Sequence, residues 1–256
     1  MGVHCMNKDE YLKALYIAYK EVKPLSKSTI PINLNLQEAY EIQHRFTALK
    51  EKDGEVLAGY KISATSEKSQ ALFNISEPAY GQITNTRIIK ELKLSNASQP
   101  IVELELVFIA QEDLKPNSTN EELLKSVKVA PGIEVPDSRY EDWFPKITKE
   151  QLVSDGAAGG YITYGEAIQP TYESLDKIKG TLYLNDEEVS SNTSDIVLGH
   201  PLNSLKWLIN KLDTHDLVIK KGMFVSSGTV TAPAPLQKGT YTGKFENFRN
   251  ISLKVE

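Results

Sequence analysis

The sequence predicts an α+β fold, with a small helical region at residues 1–55 and a β-rich domain over residues 56–256. Two observations carry this. Apolar residues recur at helical spacing in two stretches ahead of Asp53-Gly54, and beyond that turn the dominant signal is short alternating runs bounded by turn residues. The clearest run is Pro100-Ile-Val-Glu-Leu-Glu-Leu-Val-Phe-Ile-Ala110, whose period of two is that of a strand.

Taken in order, Leu12, Leu15, Tyr16, Tyr19 and Val22 make one apolar stripe of a helix over residues 9–22, and Pro24 stops it. A loop through Ile30-Pro31-Ile32 leads to Asn35-Leu-Gln-Glu38, the pattern of a capping box. Ala39, Ile42, Phe46 and Leu49 then line a second helix. Val56-Leu-Ala-Gly-Tyr-Lys-Ile62 reads as a strand, and residues 68–73 as a short helix. Pro116-Asn-Ser-Thr-Asn120 is a surface loop, and residues 121–129 a short helix capped by Thr119 or Asn120. Gly159-Gly-Tyr-Ile-Thr-Tyr164 and Gly180-Thr-Leu-Tyr-Leu184 read as strands, the second turning at Asn185-Asp186. Leu202, Leu205, Leu208, Ile209 and Leu212 form the stripe of a helix beginning near Pro201, and Met223-Phe-Val-Ser-Ser-Gly-Thr-Val230 is a further strand. No internal repeat or low-complexity segment interrupts this order.

Composition narrows the function classes. With 29 basic and 34 acidic residues among 256, the formal charge is −5, and no basic patch suits a nucleic acid. The single cysteine, Cys5, excludes an internal disulfide framework and a cysteine-based zinc site. No apolar run approaches the roughly 18 residues of a membrane span, and no signal-like segment follows the start. Met1-Gly-Val-His-Cys-Met6 lacks the Ser or Thr of a myristoylation motif. Met6 is a candidate alternative start, since patterned sequence begins only after it. The expectation is a soluble protein of a reducing cytoplasm, with no nucleic-acid or membrane partner.

In the alternating run, Glu103 and Glu105 project to one side with Ile101 and Val107, while Val102, Leu104, Leu106 and Phe108 project to the other. At about 3.3 Å per residue the two carboxylates start roughly 7 Å apart. Like charges side by side on an apolar strand raise each other's pKa and weaken the sheet. Two readings stay open: an edge strand with one solvated face, or a strand whose charge a bound cation removes. Lys61, between Tyr60 and Ile62, leaves a similar choice between a side chain that snorkels to the surface and a desolvated lysine with a depressed pKa, suited to acid–base work. Ser63-Ala-Thr-Ser66 after it offers small hydroxylic donors for an anionic ligand. Glu134, flanked by Ile133 and Val135, is a third acid in an apolar extended setting.

Several segments, in a fixed order, resemble the fumarylacetoacetate hydrolase superfamily, in particular its branch of 2-hydroxypenta-2,4-dienoate (2-keto-4-pentenoate) hydratases and 4-oxalocrotonate decarboxylases. They are Ala39-Tyr-Glu-Ile-Gln43, Gly59-Tyr-Lys-Ile62 with Thr65-Ser66 and Gln70, Ser76-Glu-Pro-Ala-Tyr-Gly81, and Glu103-Leu-Glu105. They continue with Ile133-Glu-Val-Pro-Asp-Ser-Arg139 and Trp143, Leu198-Gly-His-Pro201 with Trp207-Leu208, and Ser227-Gly-Thr229, and span about residues 30–245. The resemblance implies a mixed β-roll, a divalent metal held by Glu103, Glu105 and Glu134, and Lys61 as the acid–base residue. An all-oxygen donor set suits Mg²⁺ or Mn²⁺ rather than zinc. The implied reaction is decarboxylation or hydration of a short 2-oxo or 2-hydroxydienoate acid of aromatic meta-cleavage chemistry. Thr65, Ser66, Ser227, Gly228 and Thr229 are candidates to bind its carboxylate. Relatives are typically oligomeric, so a homo-oligomer is expected, with a partner enzyme of the same branch as a further option.

Two positions depart from the branch. Ala79 replaces the aspartate of a Glu-Pro-Asp-Phe/Tyr-Gly motif, which shifts weight from hydration towards decarboxylation, and Gly156 stands where an Ala-Asp-Asn motif ends in an amide. An acylpyruvate-type C–C hydrolase would use the same metal site, but no His-Glu pair lies between Gly59 and Glu103 to activate water. A non-catalytic partner subunit is opposed by the retention of Lys61 and all three glutamates. His200 reads as structural, and His44 and His215, without companions in the sequence, receive no role.

Overall fold

A computed structural model describes residues 6–31 and 33–256. The start of the chain, residues 1–5 with Cys5, and Ile32 in the Pro31 loop lie outside the described residues. The first two helices form where the sequence places them. α1 (Lys8–Glu21) opens on a capping box between Asn7 and Glu10, and ends at Val22 in the left-handed conformation. α2 (Leu36–Lys52) carries the box read from Asn35 and Glu38. β1 (Leu57–Ser63), α3 (Glu67–Phe73), β2 (Ala79–Thr84) and β3 (Glu91–Leu92) follow, then the long β4 (Ile101–Ala110).

α4 (Asn120–Ser126) is capped by Thr119, and β5 (Val127–Val135) begins at the next residue. The expected helix through residue 129 therefore stops early. Val127 and Val129 are fully buried strand residues, and their β-branched side chains favour that pleated, packed surface. After α5 (Lys149–Ser154) come β6 (Tyr161–Tyr164), β7 (Lys179–Leu184) and β8 (Glu187–Thr193). Asn185 and Asp186 both take positive φ between the last two, as a two-residue hairpin turn requires. α6 (Pro201–Asp213), β9 (Phe224–Thr229), β10 (Ala234–Pro235), β11 (Gly239–Phe245) and β12 (Ile251–Val255) complete the chain.

Two sheets result, with helices against them: a mixed α+β roll, as expected. The larger runs β2-β1-β9-β4-β5-β6, with β10 paired to β4, and the smaller runs β3-β12-β11-β7-β8. β4 is therefore an interior strand, bonded to β9 on one side and β5 on the other. Its even-numbered residues Val102, Leu104, Leu106 and Phe108 enter the main core, and Val107 joins a separate apolar cluster with Ile83, Ile162 and Phe224. The edge-strand reading fails on this topology, because β4 is paired on both sides and its residues 102–108 are buried. Among the described residues no helix is long and apolar enough to cross a membrane.

The helical start is tied to the sheet by Gln43 of α2, whose amide donates to Tyr80 O at 3.0 Å and to Val153 O at 2.7 Å. A buried clamp holds the segment after α5. Arg139 pairs with Asp155, donates to Asp155 O, and reaches Gly159 O at 2.7 Å. Asp155 also accepts the Ser138 hydroxyl at 2.6 Å. Removing one partner of such a pair leaves an uncompensated buried charge. Arg139→Met is expected to lose about 3–5 kcal/mol in urea unfolding. The double replacement Arg139→Met with Asp155→Leu is expected to lose less; an equal or greater loss would show that the pair is not the source.

Candidate functional site

The site forms where β4 and β5 pair. Glu103 lies directly opposite Glu134, and Glu105 lies opposite Gly132, so all three carboxylates share one face of the sheet. One oxygen from each lies within 4.8 Å of the others. The site is dry: Glu103 is 9% exposed, Glu105 1% and Glu134 2%. Lys61 reaches the same place from β1, two strands away across β9, and is 3% exposed. The snorkelling alternative is thereby excluded. Its Nζ is 3.0 Å from Glu134 Oε1 and donates to Ala157 O at 3.1 Å.

Glu105 is oriented from β9. Its Oε2 accepts the Ser226 hydroxyl at 2.5 Å and the Gly228 N–H at 2.9 Å. β9 accommodates both donors through a register shift, with Glu105 opposite Thr229 but Val107 opposite Ser226. That bulge turns Gly228 to φ +106°, where a Cβ would stand 2.4 Å from Thr65 Oγ1. Only glycine fits there. Glu105 Oε1 and Glu134 Oε2 have no hydrogen-bond partner. Buried carboxylate oxygens left unpaired are costly; the cluster could hold a cation, and an all-oxygen donor set suits a hard one.

Known proteins resemble this chain over most of its length. The chain is 29% identical to the 2-oxo-hept-4-ene-1,7-dioate hydratase of Escherichia coli, covering 96% of this chain and 91% of that one. It is 30% identical to the 2-hydroxyhexa-2,4-dienoate hydratase of Comamonas testosteroni, covering 88% of each. The chain belongs to the hydratase and decarboxylase branch of the fumarylacetoacetate hydrolase superfamily. Its fold matches the structure of 4-oxalocrotonate decarboxylase from Pseudomonas putida G7, complexed with magnesium and adipate, with a TM-score of 0.89 at 24% identity over 98% of this chain and 99% of that one. No family model matches the chain.

The other predicted residues divide. Thr65 and Thr229 line a cavity of about 260 Å³ that has Glu103 in its wall. Ser66 lines it too, but its hydroxyl caps α3 by accepting Ser69 N–H at 3.2 Å. Ser227 is buried, with its hydroxyl on Gly228 O at 3.3 Å. The N–H of Gly228, expected to bind substrate, is committed to Glu105 instead. In this member of the branch Gly228 positions a carboxylate, together with Ser226, which the sequence reading passed over.

Ala157, whose carbonyl holds Lys61, could not be found from any side-chain signal. Gly156, Ala157 and Ala158 all have positive φ, of 70°, 53° and 55°. The left-handed conformation costs an alanine roughly 1–2 kcal/mol, and the Arg139–Asp155 clamp holds the segment in it. Gly156 in place of an amide residue preserves this backbone while removing a polar side chain. His200 is structural: its Nδ1 accepts Leu202 N–H at the start of α6 and its ring stacks on Tyr172 at 3.9 Å. His44 and His215 do have companions. Both bond the Tyr80 hydroxyl, at 2.8 and 2.6 Å, behind β2. Burial pushes His44 down to about 4, with His215 adding to the effect.

Electrostatics at the centre are dominated by burial. It raises Glu103 to about 7, against the lowering effect of Lys61 and with Glu134 adding to the rise. Glu105 is held well above the ordinary carboxylate range by burial and by Glu134 and Glu103. Burial works against the Lys61 ammonium, but the three glutamates outweigh it and raise its pKa. The depressed pKa considered for Lys61 is therefore not that of the metal-free protein. A carboxylate whose folded pKa is raised stabilises the fold below its unfolded pKa, and that contribution is lost as pH rises through the folded value. In chelator, the wild type should therefore lose stability relative to Glu103→Gln between pH 5 and pH 8, by roughly 2–4 kcal/mol. Urea midpoints at the two pH values test this, and a constant difference would remove the assignment.

Proposed function

We propose that the protein is a divalent-metal-dependent lyase acting on a short 2-oxo acid or its 2-hydroxydienoate form, by loss of CO₂ or by addition of water. The observation that carries this reading is the buried cluster of Glu103, Glu105 and Glu134 with Lys61 Nζ 3.0 Å from Glu134. The three carboxylates fit Mg²⁺ or Mn²⁺ in donor type and in their unpartnered oxygens. Such an ion, when bound, supplies Lewis-acid polarisation of the substrate's oxygen atoms. The names of the two hydratases, and the magnesium and adipate in the decarboxylase structure, support a metal and a small-acid substrate.

The chain's own groups then have definite tasks. Lys61 carries three N–H donors, of which Glu134 and Ala157 O engage two, leaving the third for substrate. In decarboxylation the carbon–carbon bond breaks, CO₂ leaves, and Lys61 delivers the proton that takes its place. In hydration Lys61 protonates the chain at one alkene carbon while water adds at the other. Thr65 lines the cavity and can bond a substrate oxygen, whereas the Thr229 hydroxyl, also on its wall, donates to Thr231 O at 2.7 Å. Ile62, Phe73 and Phe144 wall it against bulk water.

Position 79 bears on which reaction runs. Ser63 pairs with Ala79 and Lys61 with Gly81, so the Ala79 methyl lies on the Lys61 face two residues along. A methyl group cannot hold or activate a water, and this favours decarboxylation. Progress curves with 2-oxo-3-hexenedioate and with 2-hydroxypenta-2,4-dienoate, in Mg²⁺ and in chelator, distinguish the outcomes. Turnover should require the metal, and Lys61→Ala should lower kcat by about 10²–10⁴-fold. Turnover that persists in chelator, or an unimpaired Lys61→Ala enzyme, would reject the mechanism.

A further inference from the structure

A second cluster of titratable side chains lies behind the sheet. Strand residues alternate between faces, so Tyr80, paired with Ile62, points away from the face that Lys61 and Gly81 share. Its side chain is fully buried, and its hydroxyl meets His44 Nε2 at 2.8 Å and His215 Nδ1 at 2.6 Å. His44 stands in α2 and His215 just beyond the end of α6, so three elements distant in sequence deliver one side chain each. The hydroxyl has one proton and can donate to only one of the two imidazoles, so at least one ring nitrogen turns a lone pair to this point. Tyr40 walls the cluster, stacked on Tyr80 at 4.7 Å and 4.9 Å from the His215 ring. Both histidines are half-buried, and His215 lines a cavity of about 680 Å³ that gives it access to water. Lys211, the charge in that wall nearest in sequence to His215, is paired with Glu77 at 2.8 Å.

We propose that His44, Tyr80 and His215 form a second metal site, for a borderline divalent ion such as Zn²⁺, separate from the carboxylate centre. Imidazole suits Zn²⁺, Cu²⁺ and Ni²⁺, whereas carboxylate suits Mg²⁺ and Mn²⁺, so the two sites sort ions by ligand type. A four-coordinate ion with bonds of about 2.0–2.1 Å holds its ligand atoms roughly 3.3 Å apart. The two nitrogens now stand 2.8 and 2.6 Å from the hydroxyl oxygen, and an opening of less than about 1 Å admits the ion. The ion takes one nitrogen lone pair from each imidazole and the oxygen of Tyr80, whose proton passes to solvent. The histidine that had donated to Tyr80 carries its proton on the other ring nitrogen instead. Water from the cavity fills the fourth position. Such an ion ties α2, β2 and the end of α6 together, and it acts on the stability of the fold rather than on the reacting atoms. The site is independent of the lyase reading.

Zn²⁺ titration of the Mg²⁺-saturated protein, followed by calorimetry and by the urea midpoint, tests the assignment. Zn²⁺ is expected to bind and to raise the midpoint, because an ion that binds only the folded state stabilises it. His44→Gln and His215→Gln should each weaken this binding by at least about tenfold, since even groups supporting a ligand are worth that much. Each should also cancel the rise in the midpoint, and Tyr80→Phe, which keeps both imidazoles, should reduce it less. His215 is half-exposed beyond a helix end, so His215→Gln remains a folded test even if His44→Gln does not. Zn²⁺ that displaces Mg²⁺ at the carboxylate centre is told apart by Glu103→Gln, which removes it and leaves the histidine-dependent binding in place. Zn²⁺ binding unchanged in His215→Gln, or binding in the wild type that Glu103→Gln removes entirely, would overturn the second site.

Discussion

The cross-strand pairing of Glu103 with Glu134, with Glu105 one pleat away, is the constraint on which the rest of the structure depends. Three carboxylates and one ammonium, all ionised, leave a formal charge of −2 in a dry interior (three negative, one positive). Isolated buried charge is among the most expensive features a fold can carry. Without a counter-ion the protein must hold protons there, which is why Glu103 and Glu105 are pushed upward. A divalent cation brings the sum to zero. The same arithmetic explains why Lys61 alone cannot settle the cluster, although it faces all three acids.

Holding that charge in place occupies much of the surrounding backbone. The bulge in β9 delivers the Ser226 hydroxyl and the Gly228 N–H to one oxygen of Glu105 and leaves its other oxygen unpartnered. On the opposite side, Arg139 and Asp155 fix a run of left-handed residues so that the Ala157 carbonyl meets Lys61. Positive φ at alanines, unpaired carboxylate oxygens and a buried lysine are each locally unfavourable. Their convergence on one point is the pattern of a functional site supported by the fold around it.

Most elements could be read from the chain because periodicity and capping are local. Asn35 with Glu38 and the alternation of residues 101–110 act within a few residues, and both appear as read. The misreadings arose where a long-range contact outweighed a local preference. The chain after Ser126 left the helix because Val127 and Val129 are buried in the sheet. His44 and His215 are separated by most of the chain, yet share the Tyr80 hydroxyl. The family resemblance offers Gly228 to the substrate, and only the register of β9 against β4 shows that its N–H faces Glu105.

What the sequence by itself determined was the inventory: an α+β chain, three glutamates in apolar extended settings, a lysine in a strand, and no thiol ligand set. Those follow from residue type and spacing, which need no partner strand. Tertiary structure decided which of them meet. The order β1-β9-β4-β5 places Lys61 beside Glu134, and the interior position of β4 turns Glu103 and Glu105 from a solvated stripe into a buried cluster. Sequence spacing is silent on this, because register and strand order are set by which apolar faces can be covered at once, a property of the whole chain.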